Sequence, residues 1–379
     1  MNHVGGRRLP AGWRWVRLGD VCEIIAGQSP PGESYRISSE GMPFFQGKAD
    51  FGPRYPTVRM WCVAPTKVAV PGDILISIRA PVGPTNIAEV ECCIGRGLAA
   101  IRPREQADRD FILAVLRFYE GKLARLGSGS TFEAIKRKDL ESLAIPLAPL
   151  CEQKRITAIL KEQMEAVERA RVATEAQLEL LARLIESYLR HSLFTAPTQR
   201  IELRECLTEI TQGVGVAWKT YAVVGATRAG AAPAKEGVGK KPERYKFVDA
   251  DTIFYNPMRI LLGSIGMIDI DDAPGITSPD YVVFKTQDGV LHPRWFYYWL
   301  RSRYGEAFIK TLTRGAVRER MLFKRLSTAQ VEIPRWSAQV EVADKLRIAI
   351  KTKRILMDQL ETINKLAAPL LRRAFSGEL

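Results

Sequence analysis

One short stretch of the sequence has the glycine spacing of a nucleotide-binding loop. Residues 95–100 ("GRGLAA") fit the form Gly-x-Gly-x-x-Ala and follow a run that is typical of a β-strand. Pro103 stands where the helix of that motif should begin, so the pattern does not favour nucleotide binding. The phosphate-binding pattern Gly-x-x-x-x-Gly-Lys-Ser/Thr is absent from the sequence, and an ATP-driven motor is therefore not indicated.

A second stretch approaches a motif of amino-methyltransferases, in which Asn-Pro-Pro is followed by an aromatic residue. Residues 255–259 read "YNPMR", so Met258 and Arg259 replace the second proline and the aromatic residue. No cofactor loop precedes it. An Asn-Pro turn that ends a strand is the favoured interpretation.

The cysteines and histidines do not form the pattern of a metal site. The six cysteines include no Cys-x-x-Cys pair, and only three histidines are present to join them. No motif pairs a nucleophile with a base either. We therefore predict no catalytic residue, no cofactor and no metal in this chain, and the reducing cytoplasm as its location.

The charge of the chain indicates a polyanionic partner. Lysine and arginine number 56 against 42 acidic residues, which gives a net charge of +14 and a sequence pI near 9.6. The basic residues also cluster, in residues 310–325, in the equivalent 122–138, and in 225–246, where Gly, Ala and Pro predict a mobile loop. Nucleic acid is favoured over the alternative, a solvated basic surface without such a partner.

The sequence contains two similar halves. Residues 145–160 and 333–346 both pair Ile-Pro with a Gln and then enter a long helical pattern. Residues 127–140 align without a gap to 313–326, where Gly129 and Gly315 are 186 residues apart. A period of that length is too long for a solenoid and indicates a duplicated domain.

Each half ends in a helix with a narrow apolar stripe, which predicts an antiparallel coiled coil between the two. We expect each helix to extend over about 35–40 residues, or about 55–60 Å. Pro369 should kink or fray the second helix. The alternative is that each helix packs only on its own domain. The predicted inward positions are Leu160, Met164, Val167, Arg171, Thr174, Leu178, Leu181, Ile185 and Tyr188 in the first helix, and Val342, Leu346, Ala349, Lys353, Leu356, Leu360, Ile363, Ala367 and Leu370 in the second.

Short β-branched runs broken by Gly and Pro, followed by one or two helices, predict α+β domains with curved, mostly antiparallel sheets. The predicted division is residues 1–148 and 198–335 for the two sheet domains, and 149–197 and 336–379 for the helices. No apolar run approaches the length of a membrane span, and the N-terminus does not have the pattern of a secretion signal.

Several stretches closely resemble the specificity subunit of type I restriction-modification systems. They are "LPAGWRWVRLGDVCEIIAGQSPP", "PGDILISIRAPVG", "IKRKDLESLAIPLAPLCEQKRI" and the terminal "LLRRAFSGEL", with "FYNPMRILLGSIG" and "GITSPDYVVFK" in the second half. The resemblance implies two target recognition domains, each reading one half of a split DNA sequence. Two helices would separate the domains and dock DNA adenine methyltransferase subunits. The second "EQKR" is changed to "AQVE" at 338–341, which departs from the family pattern.

The resemblance also implies that the chemistry belongs to other chains. Two adenine methyltransferase subunits would use S-adenosylmethionine, restriction and translocase subunits would use ATP, and this chain would bind double-stranded DNA as a non-catalytic subunit. The alternatives are a fragment of a fused restriction-methyltransferase, a nuclease acting alone, and a DNA-binding scaffold without sequence preference.

Candidate DNA contacts are polar or basic residues in the predicted loops, because Gln and Arg can form two hydrogen bonds to adenine or guanine edges. For each of them a plain surface charge is the competing interpretation, and Arg79 and Arg259 could instead be buried and paired, because each follows a strand-like run. The candidates are Gln28, Ser29, Tyr35, Lys48, Arg79, Lys136 and Arg137 in the first domain, and Arg228, Lys240, Arg259, Arg314, Arg318 and Arg320 in the second.

Overall fold

The computed structural model describes residues 3–4, 7–127, 134–235, 237–313, 320–376 and 378–379, with side chains described from residue 9 onward. The chain divides into two units. Unit 1 comprises Met1–Ala173 and Leu360–Leu379, and unit 2 comprises Thr174–Gln359. No described helix is both long and apolar enough to cross a membrane.

The first half of the chain is rich in short strands and ends in one long helix. Its strands are β1 (His3–Val4), β2 (Arg7–Arg8), β3 (Arg14–Arg17), β4 (Cys22–Ala26), β5 (Tyr35–Arg36), β6 (Met42–Phe45), β7 (Trp61–Cys62), β8 (Val68–Ala69), β9 (Ile74–Ser77), β10 (Thr85–Ile87), β11 (Cys92–Ile94), β12 (Leu98–Pro103) and β13 (Ala144–Leu147). Its helices are α1 (Leu18–Val21), α2 (Arg109–Phe118), α3 (Glu120–Gly127), α4 (Arg137–Glu141) and α5 (Leu150–Thr195).

The second half follows the same plan. Its strands are β14 (Thr198–Glu202), β15 (Leu207–Glu209), β16 (Ala222–Thr227), β17 (Gly230–Pro233), β18 (Lys246–Val248), β19 (Ile253–Tyr255), β20 (Ile265–Met267), β21 (Gly275–Thr277), β22 (Val282–Thr286) and β23 (Gln330–Pro334). Its helices are α6 (Pro293–Leu300), α7 (Arg303–Thr313), α8 (Phe323–Ser327), α9 (Trp336–Asn364) and α10 (Ala367–Ser376).

The sheets of the two units have the same strand order. Unit 1 has an antiparallel sheet β4-β12-β9-β10, and unit 2 has β15-β22-β19-β20. A second sheet contains β7-β6-β11-β8 in unit 1 and β17-β16-β21-β18 in unit 2, with a parallel pair, β6–β11 or β16–β21, at the same place. The prediction of a duplicated α+β domain with mostly antiparallel sheets is therefore confirmed.

The core of each unit lies between its antiparallel sheet and the helices. In unit 1, Ile74 and Ile101 from the sheet pack with Phe111 of α2 and Phe375 of α10. The Phe111 and Phe375 rings are 5.6 Å apart in an edge-on arrangement. In unit 2, Trp295 of α6 occupies the corresponding region, and its indole Nε1 donates to Ser192 Oγ of α5 at 3.1 Å.

A buried glutamine at the start of each long helix explains the repeated Ile-Pro…Gln pattern. Gln153 Oε1 accepts from the Asp108 amide at 2.7 Å, and Nε2 donates to the carbonyls of Gln106 (3.1 Å) and Ala148 (2.8 Å). In unit 2, Gln339 makes the same three bonds. Its partners are the His292 amide (2.8 Å) and the carbonyls of Val290 (3.0 Å) and Pro334 (2.8 Å). The change from "EQKR" to "AQVE" therefore keeps the residue that joins helix to domain.

The contacts of the long helices are those of an antiparallel pair, because the start of α5 packs with α10 and the end of α5 packs with the start of α9. In unit 1, Leu160 near the start of α5 shares a core with Leu371 and Ala374 of α10. In unit 2, Leu189 near the end of α5 shares a core with Val342 and Leu346 of α9. Each predicted inward position is at least half-buried except Lys353, which is exposed, so the prediction is wrong at that residue.

The helix lengths differ from the prediction. Helix α5 has 46 residues, about 69 Å, because it begins directly after Pro149 and has no internal breaker. The second helix is divided into α9 and α10 at residues 365–366. Pro369 accounts for this break, since its ring excludes the carbonyl four residues earlier, at Lys365, from helical geometry.

We expect replacement of either buried glutamine by leucine to destabilise its unit by about 1–3 kcal/mol, because one amide and two carbonyls lose their partner inside the protein. Gln153→Leu and Gln339→Leu should both lower the midpoint of thermal unfolding. Gln177→Ala, an exposed position on α5, is the control and should be close to neutral. Equal midpoints in all three variants would contradict the role of the glutamines.

Candidate nucleic-acid interface

Five segments of unit 1 meet at the turn between β11 and β12. We call residues 27–29, 45–48, 78–79, 95–97 and 134–136 the unit 1 loop cluster. Backbone bonds join the segments. The amide of Ile78 donates to Gly97 O (2.9 Å), that of Gly95 to Phe45 O (2.8 Å), that of Gln28 to Ile94 O (3.0 Å) and that of Ile135 to Ile78 O (3.0 Å).

The glycines of "GRGLAA" allow the backbones of neighbouring loops to come close together, because they have no side chain. A Cβ at Gly97 would lie 2.3 Å from Gln46 O, and one at Gly27 would lie 2.2 Å from Gly95 O. The segment joins β11 to β12, and no helix follows it. A dinucleotide loop is therefore excluded, as Pro103 indicated.

Five of the seven predicted unit 1 residues lie in this cluster with exposed or half-exposed side chains. Gln28 and Lys48 are exposed, and Ser29 Oγ accepts from the Arg96 amide at 3.4 Å. Arg79 is exposed and pairs through its backbone with Ala134, two residues before the exposed Lys136. The alternative of a buried, paired Arg79 is therefore wrong.

The other two unit 1 candidates already have partners within the protein. The hydroxyl of Tyr35 donates to Pro30 O at 2.9 Å, and its ring stacks on Phe44 at 4.9 Å. Arg137 Nε lies 2.7 Å from Glu141 Oε1 in an ion pair. Tyr35 therefore has a structural contact, and the charge of Arg137 is partly neutralised.

Unit 2 has a corresponding arrangement. We call residues 226–230, 256–265 and 320–322 the unit 2 loop cluster. The amide of Met321 donates to Pro257 O at 3.0 Å, which matches the bond from Ile135 to Ile78 in unit 1. Ser264 Oγ donates to Ala226 O at 2.7 Å and ties the loop after β19 to the β16–β17 hairpin.

Three predicted residues of unit 2 are brought together here. Arg228 occupies the hairpin turn, Arg259 the loop after β19, and Arg320 lies with Nη2 3.5 Å from the Met258 sulfur. All three are exposed, so the alternative of a buried Arg259 is also wrong. Asn256 Oδ1 accepts from the Met258 amide at 2.9 Å, which confirms the Asn-Pro turn.

The remaining predictions for unit 2 have different outcomes. Lys240 is exposed in the segment between β17 and β18 and belongs to no loop cluster. Arg314 and Arg318 lie outside the described residues. The prediction of a mobile loop over 225–246 is wrong in its first part, because β16 and β17 form a hairpin whose tight turn uses Gly230 at φ 122°.

Two candidate residues of the loop clusters were missed by the sequence analysis. Arg96, exposed at the centre of the unit 1 loop cluster, was overlooked because "GRG" was treated only as a nucleotide motif. Arg301, at the end of α6, donates from Nη1 to Ile265 O (2.7 Å) and Gly263 O (3.4 Å), and from Nη2 to Arg228 O. The sequence around Arg301 does not indicate that its side chain bridges two loops that are distant in the chain.

The loop clusters are electrostatically suited to an anion. Among the described residues, Lys48, Arg79, Arg96, Lys136, Arg228, Arg259 and Arg320 form no ion pair with a carboxylate. By contrast, Lys246 of β18 is buried, and burial lowers its pKa while its Nζ donates to Tyr281 O at 2.7 Å. Lys246 is therefore structural, whereas the exposed cations remain available to phosphate groups.

The described residues do not offer a metal centre. They contain no group of three His, Cys, Asp or Glu side chains that could hold a metal ion. All six cysteines are free, and burial raises the pKa of the Cys22 and Cys92 thiols to about 12, so both stay protonated.

Comparison with known proteins identifies the family. A family model described as the type I restriction modification DNA specificity domain matches residues 10–179. The MjaX specificity subunit of Methanocaldococcus jannaschii is 46% identical over 184 residues, 48% of this chain and 43% of that protein. The EcoKI specificity subunit of Escherichia coli is 21% identical over 98% of this chain and 90% of its own length. Residues 10–179 of this chain belong to the type I restriction-modification DNA specificity domain family.

A solved structure has a similar fold over nearly the whole length of the chain. The type I S subunit of M. genitalium covers 96% of both chains with a TM-score of 0.56 at 15% identity, so the likeness concerns the fold. The match to the MjaX subunit covers less than half of that relative.

We expect Arg301→Gln to loosen the unit 2 loop cluster, because a shorter neutral amide cannot span both loops. Loss of about 2 kcal/mol of hydrogen bonding should speed amide hydrogen exchange in residues 227–230 and 256–265 about 30-fold. Hydrogen-exchange mass spectrometry measures this. Arg303→Gln, which removes exposed contacts with Glu186 and Tyr304 and none with the loop cluster, is the matched control. Unchanged exchange in Arg301→Gln would contradict the role of Arg301.

Proposed function

We propose that this specificity subunit reads a bipartite target in double-stranded DNA, with one half-site bound by each unit. The observation that carries the proposal is the repeated position of the two loop clusters. Each cluster includes the loop that directly follows an equivalent strand, β9 in unit 1 and β19 in unit 2. In each, one backbone bond joins that loop to a basic segment, from Ile135 to Ile78 or from Met321 to Pro257. A duplicated reader implies a target in two parts.

The exposed cations would neutralise phosphates, and polar side chains beside them would reach base edges. Phosphate contacts position a protein on DNA, whereas contacts to base edges give sequence preference. In unit 1, Gln28 has the side chain for a two-bond contact to adenine, and Arg79 and Arg96 have that for guanine. In unit 2, Arg228, Arg259 and Arg320 would have these roles.

The long helices would act as spacer and docking surface in the complex. We assign residues 1–148 and 198–335 to the two target recognition domains, and 149–197 and 336–379 to the helices. Two adenine methyltransferase subunits would dock on this scaffold, and restriction and translocase subunits would join them. S-adenosylmethionine and ATP would bind to those partners, in the cytoplasm where the DNA is.

A host that expresses this chain with its cognate methyltransferase should carry a split methylation motif that is absent without the chain. Exchange of residues 1–148 for those of another specificity subunit should change one half of the motif only. Sequencing of methylated bases across the genome measures both. Methylation by the purified chain alone would indicate an enzyme, and equal affinity for all duplexes would indicate a non-specific scaffold.

Insertion of one heptad into both α5 and α9 should lengthen the gap between half-sites and leave each half-site unchanged. Seven residues add about 10.5 Å of helix, which corresponds to about three base pairs at about 3.4 Å each. The control is insertion of seven residues in the segment between β17 and β18, where the gap should stay constant. A constant gap in the helix variant would exclude the helices as the spacer.

A further inference from the structure

The unit 2 loop cluster exposes large apolar side chains among its cations. Leu262 is 72% exposed, Met258 62% and Leu322 54%. Such residues are costly to leave in water when they are grouped, and a group of them marks a binding surface. The proposed phosphate and guanine contacts do not use them.

These side chains are held on a rigid support rather than on a loose loop. Pro257 and Ile260, which alternate with them along the chain, are buried, Ile260 to 2% exposure. The Leu262 amide donates to Arg259 O at 3.0 Å, and Ser264 Oγ and Arg301 fix the end of the loop. The fold therefore holds Met258 and Leu262 outward while their neighbours are anchored inside.

The surrounding charge indicates which partner covers them. Arg320 contacts the Met258 sulfur, and Arg259 lies between Met258 and Leu262 in the sequence. The side chain of Arg228 would lie 3.4 Å from a Cβ placed at Gly263, the residue after Leu262. Within the part of the chain that the structure describes, these arginines form no ion pair, and an apolar group beside such cations is complementary to DNA, where phosphates flank the base edges. The apolar feature of a base edge in the major groove is the methyl group of thymine.

We propose that Met258 and Leu262 read thymine methyl groups in the half-site bound by unit 2. This inference rests on the proposed function and extends it to the chemistry of the bases. The second half-site then contains at least one A·T pair whose thymine methyl is required. The corresponding loop of unit 1 exposes Arg79, Ala80 and Pro81 instead, which predicts a different kind of contact there.

The test measures the affinity of the full chain, with its cognate methyltransferase, for unmethylated duplexes. These duplexes carry the split motif identified by methylation sequencing. Each thymine of the second half-site is replaced in turn by 2′-deoxyuridine, which removes only the methyl group. We expect about fourfold weaker binding at one or more positions, the effect of losing one buried methyl contact. In Leu262→Ala or Met258→Ala, that difference between thymine and deoxyuridine should disappear at the position the residue contacts.

Ile270→Ala is the matched control, since Ile270 is also apolar and 60% exposed but lies beside Asp272, which pairs with Arg354 of α9. It should keep the full deoxyuridine effect. Equal binding of thymine and deoxyuridine at all positions, with the motif still preferred over unrelated DNA, would overturn this inference and leave the proposed function intact. Increased fluorescence of 2-aminopurine at a half-site position other than the methylated adenine, without a deoxyuridine effect, would show instead that the side chains insert between bases. Loss of all preference for the motif would refute the proposed function itself.

Discussion

The attachment of each long helix to its sheet domain depends on one buried glutamine amide. Gln153 and Gln339 each supply one acceptor and two donors, and each joins three segments: the end of a strand, the start of a domain helix and the first turn of the long helix. Inside the protein these groups would be costly to leave unpaired, so the three segments hold one another in place. The direction of each helix from its domain is thereby set by a side chain common to both halves.

The loop clusters are made rigid by different means in the two units. In unit 1, glycines allow backbones to approach so closely that Gly95 and Gly97 bond directly to neighbouring loops. In unit 2, the loops are joined by side chains instead. Arg301 and Ser264 form hydrogen bonds that link the β16–β17 hairpin to the loop after β19. The shared scaffold is held by backbone bonds at matching places, while the parts that would meet the DNA diverge.

The duplication and the apolar seam were readable in the sequence because both are periodic. Residues such as Leu160 and Val342 recur at helical spacing, and that spacing decides burial. The contact residues were less predictable. Arg79, Arg96 and Arg301 are all arginines near strands or turns, yet Arg301 supports loops while the other two face solvent. Only the pairing of distant segments separates these roles, and it leaves no local pattern. The β16–β17 hairpin was missed because its alanines and glycines have low strand propensity.

The core of unit 1 includes residues from the end of the chain. Phe375 lies within 5.6 Å of Phe111 and 5.3 Å of Phe118, ring to ring, and Leu371 and Ala374 complete the same cluster. On the ribosome, the first sheet domain therefore cannot complete its apolar core until α10 has been made, long after its own strands. The second domain receives its closing helix, the end of α5, before its own strands emerge. A chaperone that covers exposed apolar surface during synthesis would therefore be needed for longer by the first sheet domain than by the second.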